Sequence, residues 1–229
     1  MMKLMKKALA LAALAACGTA SAGLLTFEDL TPTIYAGGEL VSQTDVRATV
    51  LGDPSGLAGA LTNGADPLSC FVTACPVGND SNYFAGLNDG GLNLSAGGRF
   101  VSLKSLDFSF VGPMPITGLA NFGRLVVEGL GLDGASVFES REFGAADANG
   151  NFSFASWDLS AGFASTWFSG VNVYACLYTA NGDCENPAGN QAQFAVDNLA
   201  YAVPEPSSIA LVGLSLAGLA ALRRRRSSI

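Results

Sequence analysis

The chain has no histidine and little charge: 14 % of its 229 residues are Asp, Glu, Lys or Arg. Without histidine, Ser-His-Asp and Cys-His catalysis are excluded. Zinc sites lose their imidazole ligands, and no cysteine pair has the C-x-x-C spacing. Cations are scarcer still in the middle of the chain. Of 12 Lys and Arg residues, Lys3, Lys6 and Lys7 open the sequence and Arg223 to Arg226 nearly close it. Between residues 23 and 205 only Arg47, Arg99, Lys104, Arg124 and Arg141 offset all nineteen acidic residues, a net charge of −14. Such a segment is repelled by nucleic acid and has no attraction for anionic lipid. Solubility, cation binding and uncharged partners such as polysaccharide remain open to it. Also missing are long helical periodicity between the termini, a repeat of fixed period, a phosphate-cradling glycine loop and a G-x-S-x-G turn. The chain is therefore expected to be non-catalytic. A glycosidase, which needs only two carboxylates, is the remaining enzymatic alternative, but no pair among the nineteen stands out.

What is present is concentrated first at the two ends. Lys3, Lys6 and Lys7 precede an Ala/Leu run from Ala8 to Ala16, followed by Ala20-Ser21-Ala22. A charged start, a short apolar run and small residues form the pattern of a secretory signal peptide. Residues 1–22 are expected to pass the Sec translocon, with signal peptidase cutting between Ala22 and Gly23. The run is too short to span a bilayer, which takes about 20 apolar residues. A second reading is open: Leu14-Ala15-Ala16-Cys17-Gly18 also has the form of a lipobox, in which Cys17 is lipidated and anchors the chain.

At the other end Val203-Pro204-Glu205-Pro206 interrupts any strand, because proline donates no hydrogen bond and fixes φ. Residues 207–222 carry no charge and are rich in Leu, Ala and Gly, and Arg223, Arg224, Arg225 and Arg226 follow at once. Counted from Val203 the segment is about the length of a membrane span at 1.5 Å per residue. The arginines would stay cytoplasmic, leaving the middle of the chain outside. The order Pro204-Glu205-Pro206, apolar span and terminal arginine cluster resembles the PEP-CTERM protein-sorting signal of Gram-negative bacteria. This resemblance covers 203–226. It implies processing near the PEP motif by an exosortase, transient membrane anchoring, then passage to the cell surface or the extracellular space. It also implies a link to exopolysaccharide and biofilm matrix, but it leaves the activity of the middle domain unassigned. Just upstream, Gln193-Phe194-Ala195-Val196-Asp197 resembles the Q-F-x-x-D stretch of a subset of these proteins.

The middle, residues 23–202, reads as β structure. Candidate strands cover 24–27, 46–51, 83–87, 100–111, 123–130, 136–143, 152–159, 170–178 and 193–202, separated by Gly, Asn and Asp. Lys104, Asp107 and Ser109 alternate with Leu103, Leu106, Phe108 and Phe110 and are expected to face outward. Asn149-Gly150 and Asn181-Gly182 are turn signals. Asp147 to Asn151 spaces oxygens like a calcium loop, but lacks the glycine and the bidentate glutamate of one. A turn is expected there. Residues 52–82 break the pattern and read as a long surface excursion. The expected fold is all-β: a single antiparallel β-sandwich or jelly roll.

Cys70, Cys75, Cys176 and Cys184 fit an exported, disulfide-bonded domain, with local pairing expected among three possible connectivities. Asp197-Asn198-Leu199 also resembles the closing strand of galactose-binding-like jelly rolls. In those folds acidic residues of the first and last strands can hold a structural calcium. On that resemblance Glu28, Asp29 and Asp197 are the candidate ligands, and hard oxygen donors suit the ion. Trp157, Phe163, Trp167 and Phe168 cluster in sequence. Trp157 and Trp167 are candidates for stacking on sugar rings, against the plainer role of filling a core. The expected function is that of an exported surface or matrix protein, with a carbohydrate-binding module as the alternative.

Overall fold

The alternation at 123–130 is realised as a strand whose Leu125 and Val127 are fully buried, while Arg124 and Glu128 face outward. The computed structural model describes residues 20–66, 75–112, 123–178, 181, 183–185 and 192–205. Most of the expected signal peptide, the apolar span 207–222, Cys17, Cys70, Pro206 and Arg223–Arg226 lie outside these residues. Among the described residues no helix is long and apolar enough to cross a membrane.

The described residues form fourteen strands in chain order. They are β1 (Ala20–Leu25), β2 (Ile34–Ala36), β3 (Leu40–Gln43), β4 (Arg47–Leu51), β5 (Leu57–Asn63), β6 (Asn82–Gly86), β7 (Gly91–Ser95), β8 (Ser102–Phe110), β9 (Gly123–Leu130), β10 (Ser136–Glu142), β11 (Ala155–Asp158), β12 (Gly170–Tyr178), β13 (Cys184–Glu185) and β14 (Phe194–Pro204). One helical turn, α1 (Ala161–Ala164), is capped by Ser160, whose hydroxyl accepts from Phe163 N–H. The strands form two antiparallel sheets. The first runs β11-β8-β14-β6-β5-β2 with β1 also on β14, and the second runs β10-β9-β12-β7-β4-β3 with β13 on β12. Their inward side chains share one apolar cluster that includes Phe27, Phe84, Leu94, Phe110, Val127, Val173 and Phe194. Residues Ala22–Val203 make up one compact unit.

The excursion expected over 52–82 is in part a strand. β5 lies between β6 and β2, with Ala58, Gly59, Leu61 and Thr62 buried. Its small residues are required by packing, since a Cβ on Gly59 would lie 2.7 Å from the ring of Phe84. Ser109 is also buried, although it faces away from the shared core. It is paired with Ala195 on the side where Tyr83, Ala85, Val111 and Ala195 form a second cluster with Leu87 and Phe154.

In β14, Phe194 and Val196 reach the shared core, and so do Leu199, Tyr201 and Val203. Even and then odd positions can do so because the register shifts after Asp197 and Asn198 takes φ 51°. A bulge changes which face each later side chain meets. Cys176 and Cys184 are bonded to each other, and Cys75 is also disulfide-bonded.

Candidate functional site

Four segments meet at the β14 bulge. Asp197 and Asn198 come from the bulge and Asp107 from the neighbouring β8. Asn79 and Ser81 come from the loop before β6, and Glu28 from the turn after β1. All of these but Asp197 border an open cleft of about 490 Å³ that Asp80 and Phe154 also line.

Asp197 is 1 % exposed and holds the cluster together. Its Oδ2 accepts from Asn79 Nδ2 at 2.9 Å and from the Ser81 hydroxyl at 2.7 Å, and its Oδ1 accepts from Asn198 N–H at 2.7 Å. A buried carboxylate is stabilised by such donors. Asp107, opposite Asp197 in the ladder, accepts from Ser156 Oγ at 2.5 Å and from Asn198 Nδ2 at 2.9 Å. Asn198 therefore separates two carboxylates that would otherwise face each other directly. Glu28 accepts from Asn82 N–H at 3.2 Å, while Asn82 Nδ2 donates to the Phe27 and Leu30 carbonyls at 3.3 and 3.1 Å.

The expected calcium ligands Glu28, Asp29 and Asp197 are not drawn into one group. Among the described residues no group of three or more His, Cys, Asp or Glu side chains is placed to hold a metal ion. Glu28 and Asp197 reach the same cluster, Asp29 is exposed and does not line the cleft, and the Asp197 oxygens are taken up by protein donors. Asn79 and Ser81, which carry the network, were not legible as site residues. The Asn79-x-Ser81 spacing before a strand was the only available signal.

The aromatic candidates separate. Trp157 is 6 % exposed and packs on Phe108 at a centroid distance of 5.8 Å, so it is a core residue and not a sugar platform. Phe163 and Phe168 are buried as well, against each other. Trp167 is 39 % exposed, with Lys104 Nζ 5.7 Å from its ring centroid. Lys104 also donates to Ser102 Oγ at 2.9 Å and to the Ala164 carbonyl, and desolvation lowers its pKa. Asp147 accepts from the N–H groups of Asn149 and Asn151, each at 2.8 Å, in the expected turn.

On the outward face of the second sheet a polar ladder crosses four strands. Asn93 Nδ2 donates to Asn172 Oδ1 at 2.7 Å, Asn172 Nδ2 donates to Glu128 at 3.0 Å, and Ser136 Oγ donates to Glu128 at 2.7 Å. Phe138 stands opposite Glu128 in the register, and Tyr174 stands opposite Val126 in the next row.

At the C-terminal border Val203 is fully buried, and β14 ends at Pro204. Residues 202–226 match the sequence model of the PEP-CTERM protein-sorting motif. The chain carries that motif, which implies an exosortase as processing partner, export with anchoring by the C-terminal region, and display at the surface. No curated protein matches the chain. Among solved structures it is similar to a DUF4465 family protein from Bacteroides caccae, with 12 % identity, a TM-score of 0.49, and 81 % of this chain and 100 % of that one covered. It is also similar to the enzymatically active domain of tailspike protein 4 of bacteriophage CBA120, with 14 % identity, a TM-score of 0.28, and 78 % and 20 % covered. At these scores neither likeness bears on fold or function.

Proposed function

We propose that residues 23–205 are the delivered product: a non-catalytic jelly-roll domain exported through Sec, held briefly by residues 207–222, and freed near Pro204-Glu205-Pro206 to join an exopolysaccharide matrix. Strand order supports the jelly-roll reading. β6-β14-β8-β11 in one sheet faces β7-β12-β9-β10 in the other, and the chain changes sheet at each step from β6 to β9 and again from β10 to β12, with β9 and β10 a hairpin within one sheet and β14 between β6 and β8.

The observation that carries the processing step is the position of the motif relative to the core. Among the described residues the last fully buried one is Val203, and the PEP triplet begins at the next position. A cut at or beyond the triplet therefore spares the whole core, whereas one a few residues earlier would remove part of a central strand. Intact-mass measurement of protein from medium and from membranes tests this. The expected species begins at Gly23, ends near residue 205 and carries two disulfides. Pro204→Ala combined with Glu205→Ala should shift it to a membrane-bound form that keeps the tail. Full-length protein folded in the cytosol with reduced thiols would sink the proposal.

A second reading, binding of matrix polysaccharide, is favoured by the ladder of Asn93, Asn172 and Glu128 beside Tyr174 and by the exposed face of Trp167. Amide and carboxylate groups next to an aromatic ring suit neutral sugar hydroxyls and ring faces. Pull-down on the native polysaccharide should weaken in Asn172→Ala or Trp167→Ala. Unchanged retention in both variants would remove this reading and leave the processing proposal intact.

A further inference from the structure

Among the described residues the second sheet ends at β10, which pairs there with β9 alone and is exposed at nearly every residue. Hydrogen bonds just outside the strand show which of its backbone groups are used. Gly131 N–H donates to Ala135 O at 2.8 Å, and Phe143 N–H donates to Gly123 O at 3.1 Å. Antiparallel bonding recurs at every second residue. Residues 137, 139 and 141 therefore spend their backbone groups on β9. The N–H and C=O groups of Ser136, Phe138, Ser140 and Glu142 point away from the sheet. An unpaired edge of this length is a template for another strand. Its apolar side chains are also uncovered: Val137 is 45 % and Phe138 56 % exposed, and Leu132 in the adjoining turn is 74 % exposed.

We propose that this edge pairs antiparallel with the same edge of a second copy of the chain, about a two-fold axis at Ser140. Phe138, Ser140 and Glu142 then meet the partner's Glu142, the partner's Ser140 and the partner's Phe138 with their free backbone groups. In this register Glu139 lies opposite the partner's Arg141, and Arg141 lies opposite the partner's Glu139. Both pairs fall on one face, where opposite charges across strands stabilise pairing. Two-fold registers centred on Glu139 or on Arg141 would instead set like charges against each other. Glu139 is already oriented, since its carboxylate accepts from Ser160 N–H at 3.0 Å and from the Ser160 hydroxyl. Arg141 is exposed and engaged by no acidic group among the described residues. Charges on an edge usually deter pairing; here their order makes the edge complementary to itself.

The test uses the full chain in its producing cells. Ser140→Cys should yield a dimer on non-reducing gels, because directly opposed residues have Cα atoms about 5.5 Å apart, within disulfide reach. Glu142→Cys alone should not. Light scattering on the extracted or released protein should show a dimer that becomes a monomer in Ser140→Pro, which deletes an N–H that β9 does not use. Arg141→Glu should weaken the dimer at least about tenfold, and adding Glu139→Arg should restore it. The charge pair keeps the test decisive if the proline variant fails to fold. A monomeric wild-type protein, equal cross-linking at 140 and 142, a dimer indifferent to Arg141→Glu, or an edge occupied by a different protein would each overturn the proposal.

Discussion

The ring of Tyr201 occupies the space that a side chain on Gly23 would fill: a Cβ there would stand 2.3 Å from the ring carbon Cζ. The first strand thus packs on the last through the residue expected to become the N-terminus. Gly23→Val should force Tyr201 from its site and lower stability by about 1–3 kcal/mol, the usual cost of overpacking. Thermal unfolding would show this as a lower Tm, with Gly23→Ala in between.

Truncation should separate tail from core. A chain ending at Glu205 is expected to unfold like the full-length protein. One ending at Asn198 loses Leu199, Tyr201 and Val203, all in the shared core. At about 1.5–3 kcal/mol for each buried side chain, that loss approaches the whole stability of a domain. Circular dichroism and soluble yield would read the difference.

Asp197→Ala leaves the Asn79 amide and the Asn198 N–H without their acceptor, while the Ser81 hydroxyl keeps Asn79 Oδ1. Each such group costs about 1–3 kcal/mol if water does not replace the carboxylate, so a loss of about 2 kcal/mol or more is expected, with Asp197→Asn recovering part of it. Calcium and chelator should give the same Tm. A calcium-dependent rise that disappears in Asp197→Ala would reinstate the metal reading.

Alkali should unfold the protein through its tyrosines. Burial raises the pKa of Tyr83 strongly above the ordinary 10.0, and burial also leads the smaller upward shifts of Tyr35, Tyr174 and Tyr178. A raised folded-state pKa means that the neutral ring is favoured in the fold. The stabilisation is complete below pH 10 and is lost as pH rises from there towards the folded value, by about 1.4 kcal/mol per pH unit for one group. Tyr83→Phe should flatten the alkaline limb of a denaturant midpoint against pH profile, and an unchanged slope would contradict this assignment.

The long strands were legible where packing demanded large side chains: β8, β9, β12 and β14 all announce themselves through Leu, Val and Phe. β5 and β7 did not, because their sites call for Ala, Gly and Asn. Gly59 must be small beneath Phe84, and Asn93 belongs to a ladder built across strands. β2 and β3 are too short to show a period. In the cluster Asp197 was legible from its motif. Its donors Asn79 and Ser81 lie 118 and 116 residues away in the chain, and nothing local links them. Trp157 and Trp167 look equivalent in sequence; only the position of Trp157 on β11, facing Phe108, distinguishes them.

β14 sits in the interior of its sheet, between β8 and β6, yet it is the last of the described strands to be synthesised. Until residue 203 emerges, a nascent chain holds a gap flanked by two bare strand margins, so the domain cannot close by growing from one end. Its final consolidation is an insertion event that awaits residue 203, however fast the earlier strands pair.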